Sequence, residues 1–265
     1  MIVWIASYPR SGNTLARTVL FQTMGYQSYT RDFDVQLREM SAEKAKAFEF
    51  SGREAQQFTC WSEFYKYARE SDKLFLIKTH LPPCDEAPVI HVVRDGRQAC
   101  ISYFHFLNDK FPEAQKTLLD VVAGNDQYTH WSRHYGEWVG QKNRLMVRYE
   151  DLIEPSSEIL QQIASFVGFE GELGSWKNPF SKLRKFAPAV FRRGKNERTY
   201  PPEWNEGVEL LFQHFHGYLN RGLGYPELEK RPQMTEGIFQ ELAGFIDRTG
   251  MQIRHLQKMV SEGEG

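Results

Sequence analysis

Short apolar runs alternate with helical or loop-rich segments along the first part of the chain. Ile2 to Ala6 is a continuous apolar run of strand length, and it stops at a loop that contains Pro and Gly. Three similar runs follow, LFLIK at 74–78, VIHVV at 89–93 and RLMVRY at 144–149. Strands that are apolar on both faces and alternate with helices are typical of a parallel sheet covered on both sides. The pattern therefore predicts an α/β fold with a central, mainly parallel sheet flanked by helices.

Start and stop signals bound two predicted helices. After the first strand and its loop, apolar residues recur at helical spacing until Gly25, which predicts a helix that ends there. The segment SSEILQQIASFVG, residues 156–168, begins with a capping Ser and ends with Gly, which predicts a second helix. Beyond Leu228, apolar residues again recur on one side of a helix. We therefore expect a main domain of residues 1–228 and a C-terminal helical extension of residues 229–265. The extension packs on the parent domain or, as the open alternative, contacts a partner.

The composition narrows the class of protein. At 265 residues and 41% hydrophobic content, the chain is large enough for a substantial core. Its formal net charge is -1, so no global field attracts nucleic acid or an anionic membrane. Cys60, Cys84 and Cys100 are too few for a disulfide framework or a zinc site and indicate reduced thiols. There is no apolar stretch near about twenty residues and no secretory leader. We therefore expect a soluble, cytoplasmic protein with no membrane span and no nucleic acid partner.

The loop SYPRSGNT, from Ser7 to Thr14, joins the first predicted strand to the first predicted helix. Backbone N–H groups at a helix N-terminus stabilise an anion, so this loop is a candidate phosphate site of the P-loop type. In nucleoside triphosphatases a Lys stands where Asn13 stands here, between Gly12 and Thr14. Without that Lys, and without an acidic strand end for Mg²⁺, handling of a β- or γ-phosphate is poorly supported. Arg10 instead places a permanent cation in the loop, which suits a phosphate that becomes a leaving group.

Four further motifs follow along the chain. IKTHLP, residues 77–82, follows a predicted strand, and VVRDGRQACIS places Arg94 at a strand end and Ser102 eight positions later. RYEDL, residues 148–152, ends the last predicted strand, and RRG stands at 192–194 in a basic segment. Together with YPRSGNT, these motifs resemble the sulfotransferase family that uses 3′-phosphoadenosine 5′-phosphosulfate (PAPS) as donor. One motif alone would be weak, but five in the family's order are specific.

The resemblance implies a P-loop-type three-layer fold and makes residues 1–228 a sulfotransferase domain. It also implies transfer of a sulfuryl group from PAPS to a hydroxyl of a small-molecule or glycan acceptor, with adenosine 3′,5′-bisphosphate (PAP) as the product. No metal is required, because a sulfuryl group carries less charge than a phosphoryl group. Arg10 replaces the Lys typical of the family's soluble animal members, and KNERTY replaces their Gly-Asp-Trp-Lys continuation after RRG. Their dimer motif, Lys-x-x-x-Thr-Val-x-x-x-Glu, is missing, so a homodimer is left open.

The resemblance also assigns a donor site. In the family, the first loop binds the 5′-phosphosulfate, and an Arg and a Ser eight residues apart bind the 3′-phosphate. A Tyr-Glu-Asp stretch sets the adenine, and a basic loop closes on the donor. Carried over to this sequence, the donor-binding residues are Arg10, Ser11, Gly12, Asn13, Thr14, Arg94, Ser102, Tyr149, Arg192, Arg193 and Gly194.

The catalytic residues expected from the resemblance are His80, Lys78 and Arg10. An acceptor hydroxyl must lose its proton as it attacks, and an imidazole that titrates near neutral pH suits His80 to the role of general base. Lys78 would neutralise the sulfuryl oxygens, and Arg10 would stabilise the charge that grows on the bridging oxygen. Four other histidines are read as core or surface residues, namely His91, His105, His130 and His134.

Two other functions stay open at the level of the sequence. A P-loop kinase or nucleoside triphosphatase would share the fold but is weakened by Asn13. A non-catalytic nucleotide-binding scaffold would bind the donor product without transfer to any acceptor. The motifs do not specify the acceptor, since a fold and a donor site do not determine what fills the other pocket. Trp61, Phe104 and Phe106 are the aromatic candidates for that pocket.

Overall fold

The computed structural model describes residues 1–31, 58, 60–180, 184–185, 200–228 and 232–250. The chain divides into two compact units. The first unit combines Met1–Arg94 with His134–Glu197, and the second combines Asp95–Arg133 with Arg198–Gly265.

A five-stranded parallel sheet forms the centre of the first unit. The strands are β1 (Ile2–Ser7), β2 (Ser28–Thr30), β3 (Phe75–Thr79), β4 (Val89–Val93) and β5 (Arg144–Arg148). Their order across the sheet is β2-β3-β1-β4-β5, and every pairing between neighbours is parallel. The predicted central sheet is confirmed, with one strand, β2, that the apolar pattern did not indicate.

Nine α-helices lie wholly within the part of the chain that the structure describes. Within the described ranges they are α1 (Asn13–Met24), α2 (Trp61–Glu70), α3 (Gly96–Lys110), α4 (Leu118–Ala123), α5 (Trp131–Val139), α6 (Tyr149–Ile153), α7 (Ser157–Val167), α8 (Glu206–Gly222) and α9 (Glu236–Thr249). Both helices that the sequence bounded are present. Gly25 ends α1 in the left-handed conformation, at φ 72°; its N–H donates to the carbonyl of Phe21, and the N–H of Tyr26 donates to the carbonyl of Leu20. The side chain of Ser156 caps α7 by accepting from the N–H of Ile159.

Alternating residues of β1 face two separate cores, which gives the first unit its three layers. Val3 and Ile5 pack with residues of α1 and α7, including Leu15 and Ile163. Trp4 and its neighbours on the other face, Ile2 and Ala6, pack with Phe64 of α2 and Trp138 of α5. Strand β1 is therefore buried on both faces, as its uninterrupted apolar sequence predicts.

The strand register brings the motif-bearing loops to one edge of the sheet. Ala6 of β1 pairs with Thr79 of β3, so the loop after β1 and the THLP segment start side by side. Val93 of β4 pairs with Arg148 of β5, so Arg94 and the YED segment also start side by side. Because parallel strands end at the same edge, four motifs that are far apart in the sequence meet there.

The second unit contains α3, α4, α8 and α9, together with the first residues of α5. A buried ion pair joins α3 to α8, with Arg97 Nε donating to Glu209 Oε2 at 2.9 Å and Arg97 Nη2 donating to Oε1 at 2.7 Å. Trp204 and Gln213 donate further hydrogen bonds to the same carboxylate. A buried pair of this kind is tolerated only when its remaining groups are satisfied, as they are here.

Helix α9 belongs to the C-terminal extension predicted from residue 229. It packs against α8 within the second unit and buries Ile238, Leu242 and Phe245. The side chain of Thr235 caps its start by accepting from the N–H of Ile238. Residues 229–231 and 251–265 lie outside the described ranges, so the proposed boundary stays a prediction.

Candidate active site

The loop after β1 presents an uncapped helix N-terminus. Gly12 is the N-cap of α1 in the left-handed conformation, at φ 105°, and as a glycine it has no side chain with which to cap the helix. The first turn of α1 contains no acidic residue. A Cβ on residue 12 would lie 2.6 Å from Cδ2 of Tyr149, so only Gly fits against that ring. The start of α1 therefore offers backbone donors and a positive dipole end, and its own first turn supplies no carboxylate to meet them.

Arg10 has a left-handed backbone that is unusual for a residue with a side chain. Its φ is 64°, a conformation that costs about 1–2 kcal/mol for an L-residue. The carbonyl of Arg10 accepts a hydrogen bond of 3.0 Å from Nη1 of Arg94. This bond joins the first loop to the residue that follows β4, and it helps to hold the loop in its strained shape.

Asn13 faces back toward β1. Its side chain is buried, and Nδ2 donates to the carbonyl of Ile5 at 2.8 Å and to Oγ of Ser7 at 3.3 Å. The amide therefore fills the place of the Lys of nucleoside triphosphatases and ties the loop to the strand. The neighbouring hydroxyl of Ser11 is buried and forms no hydrogen bond with the described residues, so the loop keeps a hydroxyl donor that an anion could use.

His80 follows β3 directly and is held by the end of β1. Its Nδ1 donates to the carbonyl of Ser7 at 2.7 Å, while Oγ of Ser7 lies farther away, at 3.4 Å. The carbonyl can only accept, so Nδ1 carries the proton and the neutral ring has its lone pair on Nε2. Burial lowers the pKa of His80 well below its ordinary value, and the Lys78 cation lowers the pKa further. His80 is therefore neutral at neutral pH, as a general base must be.

Arg94 and Tyr149 lie against each other beside the first loop. The guanidinium carbon of Arg94 is 4.3 Å from the centroid of the Tyr149 ring, which is a cation–π distance. Burial raises the pKa of the Tyr149 hydroxyl, against the lowering effect of Arg94. The buried ring of Tyr149 thus contacts both Gly12 and Arg94 and fixes their spacing.

The first unit gathers nine of the residues expected at the site on one edge of its sheet. They are Arg10, Ser11, Gly12, Asn13, Thr14, Lys78, His80, Arg94 and Tyr149. Ser102 lies on α3 in the second unit. The basic-loop residues Arg192, Arg193 and Gly194 lie outside the described residues.

The structure adds two residues that the sequence did not single out for the site. His134, read from the sequence as core or surface, donates from Nε2 to the carbonyl of His80 at 3.1 Å. Arg31 donates from Nη1 to the carbonyl of Pro82 at 2.7 Å and so holds the segment after His80. Both contacts join residues that are more than fifty positions apart, and no local pattern indicates them.

Neither a metal cluster nor a membrane-spanning helix occurs among the described residues. They contain no group of three or more His, Cys, Asp or Glu side chains arranged to hold a metal ion. None of the helices in the described ranges is long and apolar enough to cross a membrane.

Comparison with known proteins gives a consistent set of relatives. A family model described as "Sulfotransferase domain" matches residues 2–189. The 3-beta-hydroxysteroid sulfotransferase of Cavia porcellus is 30% identical over 91 residues, which are 31% of this chain and 32% of that protein. The cytosolic sulfotransferase 1 of Danio rerio is 30% identical over 110 residues, 35% of this chain and 37% of that protein. The chain thus spans about a third of the length of the curated relatives it matches.

Two solved structures are similar in fold. Mouse sulfotransferase SULT7A1, complexed with PAP, has a TM-score of 0.54 and 18% identity over 84% of this chain and 86% of that chain. Retinol dehydratase in a complex with retinol and PAP has a TM-score of 0.53 and 18% identity over 80% of each chain. At this identity the likeness shows a shared fold.

Proposed function

This chain belongs to the sulfotransferase domain family, and from this we propose that it transfers a sulfuryl group from PAPS to a hydroxyl of a small-molecule or glycan acceptor. One observation carries the proposal. A neutral imidazole, His80, is hydrogen-bonded to the last residue of β1, directly beside a phosphate loop that has a free helix N-terminus. A base beside an anion site is the arrangement that removal of a hydroxyl proton next to a nucleotide donor requires.

The loop residues 10–14 bind the 5′-phosphate side of the donor. The uncapped start of α1 and the hydroxyl of Ser11 suit a phosphate, and Arg10 adds a permanent charge. Arg94 follows the adjacent strand and binds the 3′-phosphate, together with Ser102, while Tyr149 borders the adenine. PAP is the ligand of the two solved structures of similar fold, which supports PAP as the product here. Arg192, Arg193 and Gly194 complete the cage in this proposal.

In the transfer step His80 removes the proton from the acceptor hydroxyl through Nε2. Lys78, two residues earlier on β3, neutralises charge on the sulfuryl oxygens, and Arg10 stabilises the charge that grows on the bridging oxygen. The sulfuryl group passes in line between the two oxygens, so catalysis consists of positioning and electrostatics. The guanidinium of Arg10 stays protonated throughout, so its role is electrostatic.

The alternative of a P-loop kinase or nucleoside triphosphatase is disfavoured by Asn13. That residue is a neutral amide that donates to Ile5 and Ser7, so it offers no cation to a β- or γ-phosphate. A non-catalytic scaffold is disfavoured by His80, whose lowered pKa and fixed ring suit proton removal rather than simple binding.

The printed names of the relatives and the cysteines of this chain bear on the acceptor class and on the cellular location. The names of the relatives include a hydroxysteroid and retinol, which are both hydroxyl compounds. A small hydroxyl compound is therefore our first choice of acceptor, with a glycan as the alternative. One relative is named as cytosolic, and the free thiols at Cys60, Cys84 and Cys100 suit a reducing compartment, so we propose a cytoplasmic location. A homodimer remains part of the proposal.

A donor-binding titration tests this function before the acceptor is known. We expect PAP to bind more tightly than AMP or ATP, and labelled PAPS to transfer its sulfuryl group to members of a mixed hydroxyl library without added Mg²⁺. Arg94→Gln should weaken PAP more than AMP by about 10- to 100-fold, because a charge-assisted bond to the 3′-phosphate is lost. Arg69→Gln, an exposed arginine on α2, is the matched control.

Two other outcomes would contradict the proposal. Mg²⁺-dependent turnover of ATP with no response to PAP would indicate a kinase or nucleoside triphosphatase. Tight binding of PAP with no transfer to any hydroxyl compound would indicate a scaffold.

A further inference from the structure

His80 is held at two points rather than one. The Ser7 carbonyl accepts from Nδ1 of its ring at 2.7 Å, and its own carbonyl accepts from Nε2 of His134 at 3.1 Å. The first bond orients the ring, and the second fixes the backbone from which the ring extends. Two restraints on one residue define the direction of Nε2 more narrowly than either restraint alone.

His134 also contacts the phosphate loop. It lies on α5, is only 1% exposed, and its ring meets the ring of Tyr8 edge-on with 5.9 Å between centroids. Tyr8 is the second residue of the loop SYPRSGNT. One buried side chain therefore joins the donor loop to the segment that carries the base.

The chemistry of His134 is unusual for a residue that only fills space. Its Nε2 donates to a carbonyl, so Nδ1 holds the lone pair, and that buried Nδ1 has no hydrogen-bond partner among the described residues. A buried acceptor without a partner is destabilising. An apolar ring would avoid this cost, so stability alone does not explain a histidine here, whereas the Nε2 donor does.

His134 does not transfer protons itself near neutral pH. Burial lowers its pKa to about 4, against the raising effect of the bond to His80, so the ring is neutral. Charged or titratable groups that act on His80 include Lys78 on β3, Arg10 in the loop after β1 and His134 on α5. Of these, His134 is the one with a hydrogen bond to the backbone of residue 80.

We propose that His134 is a positioning residue for sulfuryl transfer, and that its Nε2–H holds the backbone of residue 80 so that the His80 ring stays in the Nδ1–H tautomer. This inference rests on the proposed role of His80 as general base. The role requires Nε2 of His80 to be unprotonated and to point in one direction when the acceptor arrives.

Two variants of His134 separate positioning from packing. His134→Phe keeps a ring against Tyr8 but removes the donor, whereas His134→Gln loses the ring but keeps an N–H donor at similar reach. Positioning predicts that Phe lowers kcat by about 10- to 100-fold and that Gln restores most of it, with PAP affinity unchanged in both. A packing role predicts the opposite order, with Phe more active and more thermally stable than Gln. Observation of that opposite order would overturn the proposal.

Nitrogen NMR of histidine tests the same link without donor or acceptor. In the wild-type protein labelled with ¹⁵N-histidine, we expect His80 as the Nδ1–H tautomer and His134 as the Nε2–H tautomer. In His134→Phe we expect His80 to exchange between tautomers, with its pKa raised toward the ordinary value as the ring leaves its buried place. If wild-type His134 is the Nδ1–H tautomer, it cannot donate from Nε2 and the proposal fails, whether or not the variants fold.

The two readouts also separate this inference from the proposed function. If the tautomers behave as expected but the wild-type protein transfers no sulfuryl group, the proposed function fails while the link between His134 and His80 stands. If the wild-type protein transfers and His134→Phe transfers equally well, the function stands and the positioning role fails.

Discussion

At the residue scale, the protonation state and the tautomer of the candidate base, His80, are determined by its surroundings. A histidine exposed to water is partly protonated near neutral pH, but burial together with Lys78 and Arg10 keeps His80 neutral. The hydrogen bond to Ser7 selects the tautomer.

The pH dependence of transfer should report this tuning. The pKa of His80 is lowered, so its base form persists down to pH values well below 6.5 and is lost only as pH falls through the lowered pKa. We therefore expect kcat/KM for PAPS-dependent transfer to be flat between about pH 6.5 and 8 and to fall at lower pH. His80→Gln should lower kcat by about 10²- to 10⁴-fold and abolish the acidic limb, with PAP binding unchanged.

His214→Gln is the matched control, because His214 is an exposed histidine of α8. Near-normal turnover in His80→Gln would contradict the general-base role. An acidic limb that persisted in that variant would assign the limb to another group.

At the element scale, the junction of β1 and α1 depends on one glycine. Gly12 has φ 105°, and a Cβ there would meet Tyr149 at 2.6 Å, so backbone and space both exclude a side chain. Tyr149 in turn contacts Arg94, which donates to the carbonyl of Arg10. A change at Gly12 should therefore disturb the whole donor loop.

Gly12→Ala should lower the free energy of unfolding by about 2–4 kcal/mol, from the strained backbone and the clash together. It should also weaken PAP binding, because the ring of Tyr149 must move away from the loop. Urea denaturation and a PAP titration measure the two effects.

Gly136→Ala on α5 is the control, since no described residue lies within 4 Å of the position that its Cβ would take and its backbone is helical. There we expect stabilisation of about 0.5–1 kcal/mol. Equal stability of the two variants would contradict this account of Gly12.

Strands and helix ends were predictable where the local sequence alone determines the conformation. The apolar runs predicted four of the strands, Gly25 predicted the end of α1, and Ser156 predicted the start of α7. Strand β2, with the sequence SYT, has no apolar run; it owes its form to pairing with β3, where Thr30 is opposite Lys78. Tyr149 continues the apolar run of β5 in sequence, yet the ladder ends at Arg148 and a helix starts.

At the scale of the whole molecule, the site was predictable as far as its motifs follow strand ends. Parallel register alone brings residues near 10, 80, 94 and 149 together, and it follows from the strand pattern. The hydrogen-bond partners of Asn13 and His134 were not predictable, because such partners depend on tertiary contacts that no periodicity encodes. The side-chain amide of Asn13 contacts Ile5 and Ser7, while the binding of phosphate by the backbone of residue 13 stays a prediction.

Buried neutral histidines should make the whole protein sensitive to mild acid. Burial lowers the pKa of five histidines, to about 4 for His134 and to about 3 for His216. The two ring nitrogens of His216 form hydrogen bonds with Val122 and Ser132, which hold the ring as one neutral tautomer. Unfolding returns each ring to its ordinary pKa, so below pH 6.5 the unfolded state binds more protons than the folded state and stability falls. Asp126 acts in the opposite direction, because its pKa is raised to about 6, and it offsets part of the loss.

We therefore expect the free energy of unfolding to fall by on the order of 2 kcal/mol or more between about pH 6.5 and 5, with about 1 to 2 kcal/mol from each strongly shifted histidine before the offset by Asp126. Urea denaturation across this range measures it. His216→Gln should reduce the loss of unfolding free energy between these pH values by the contribution of one histidine. It should also lower the stability at pH 7.5, because a buried hydrogen-bond partner is left unsatisfied. His214→Gln, two residues away on the exposed side of α8, should leave the slope unchanged. A slope that His216→Gln does not alter would mean that the acid sensitivity arises from groups other than these buried imidazoles.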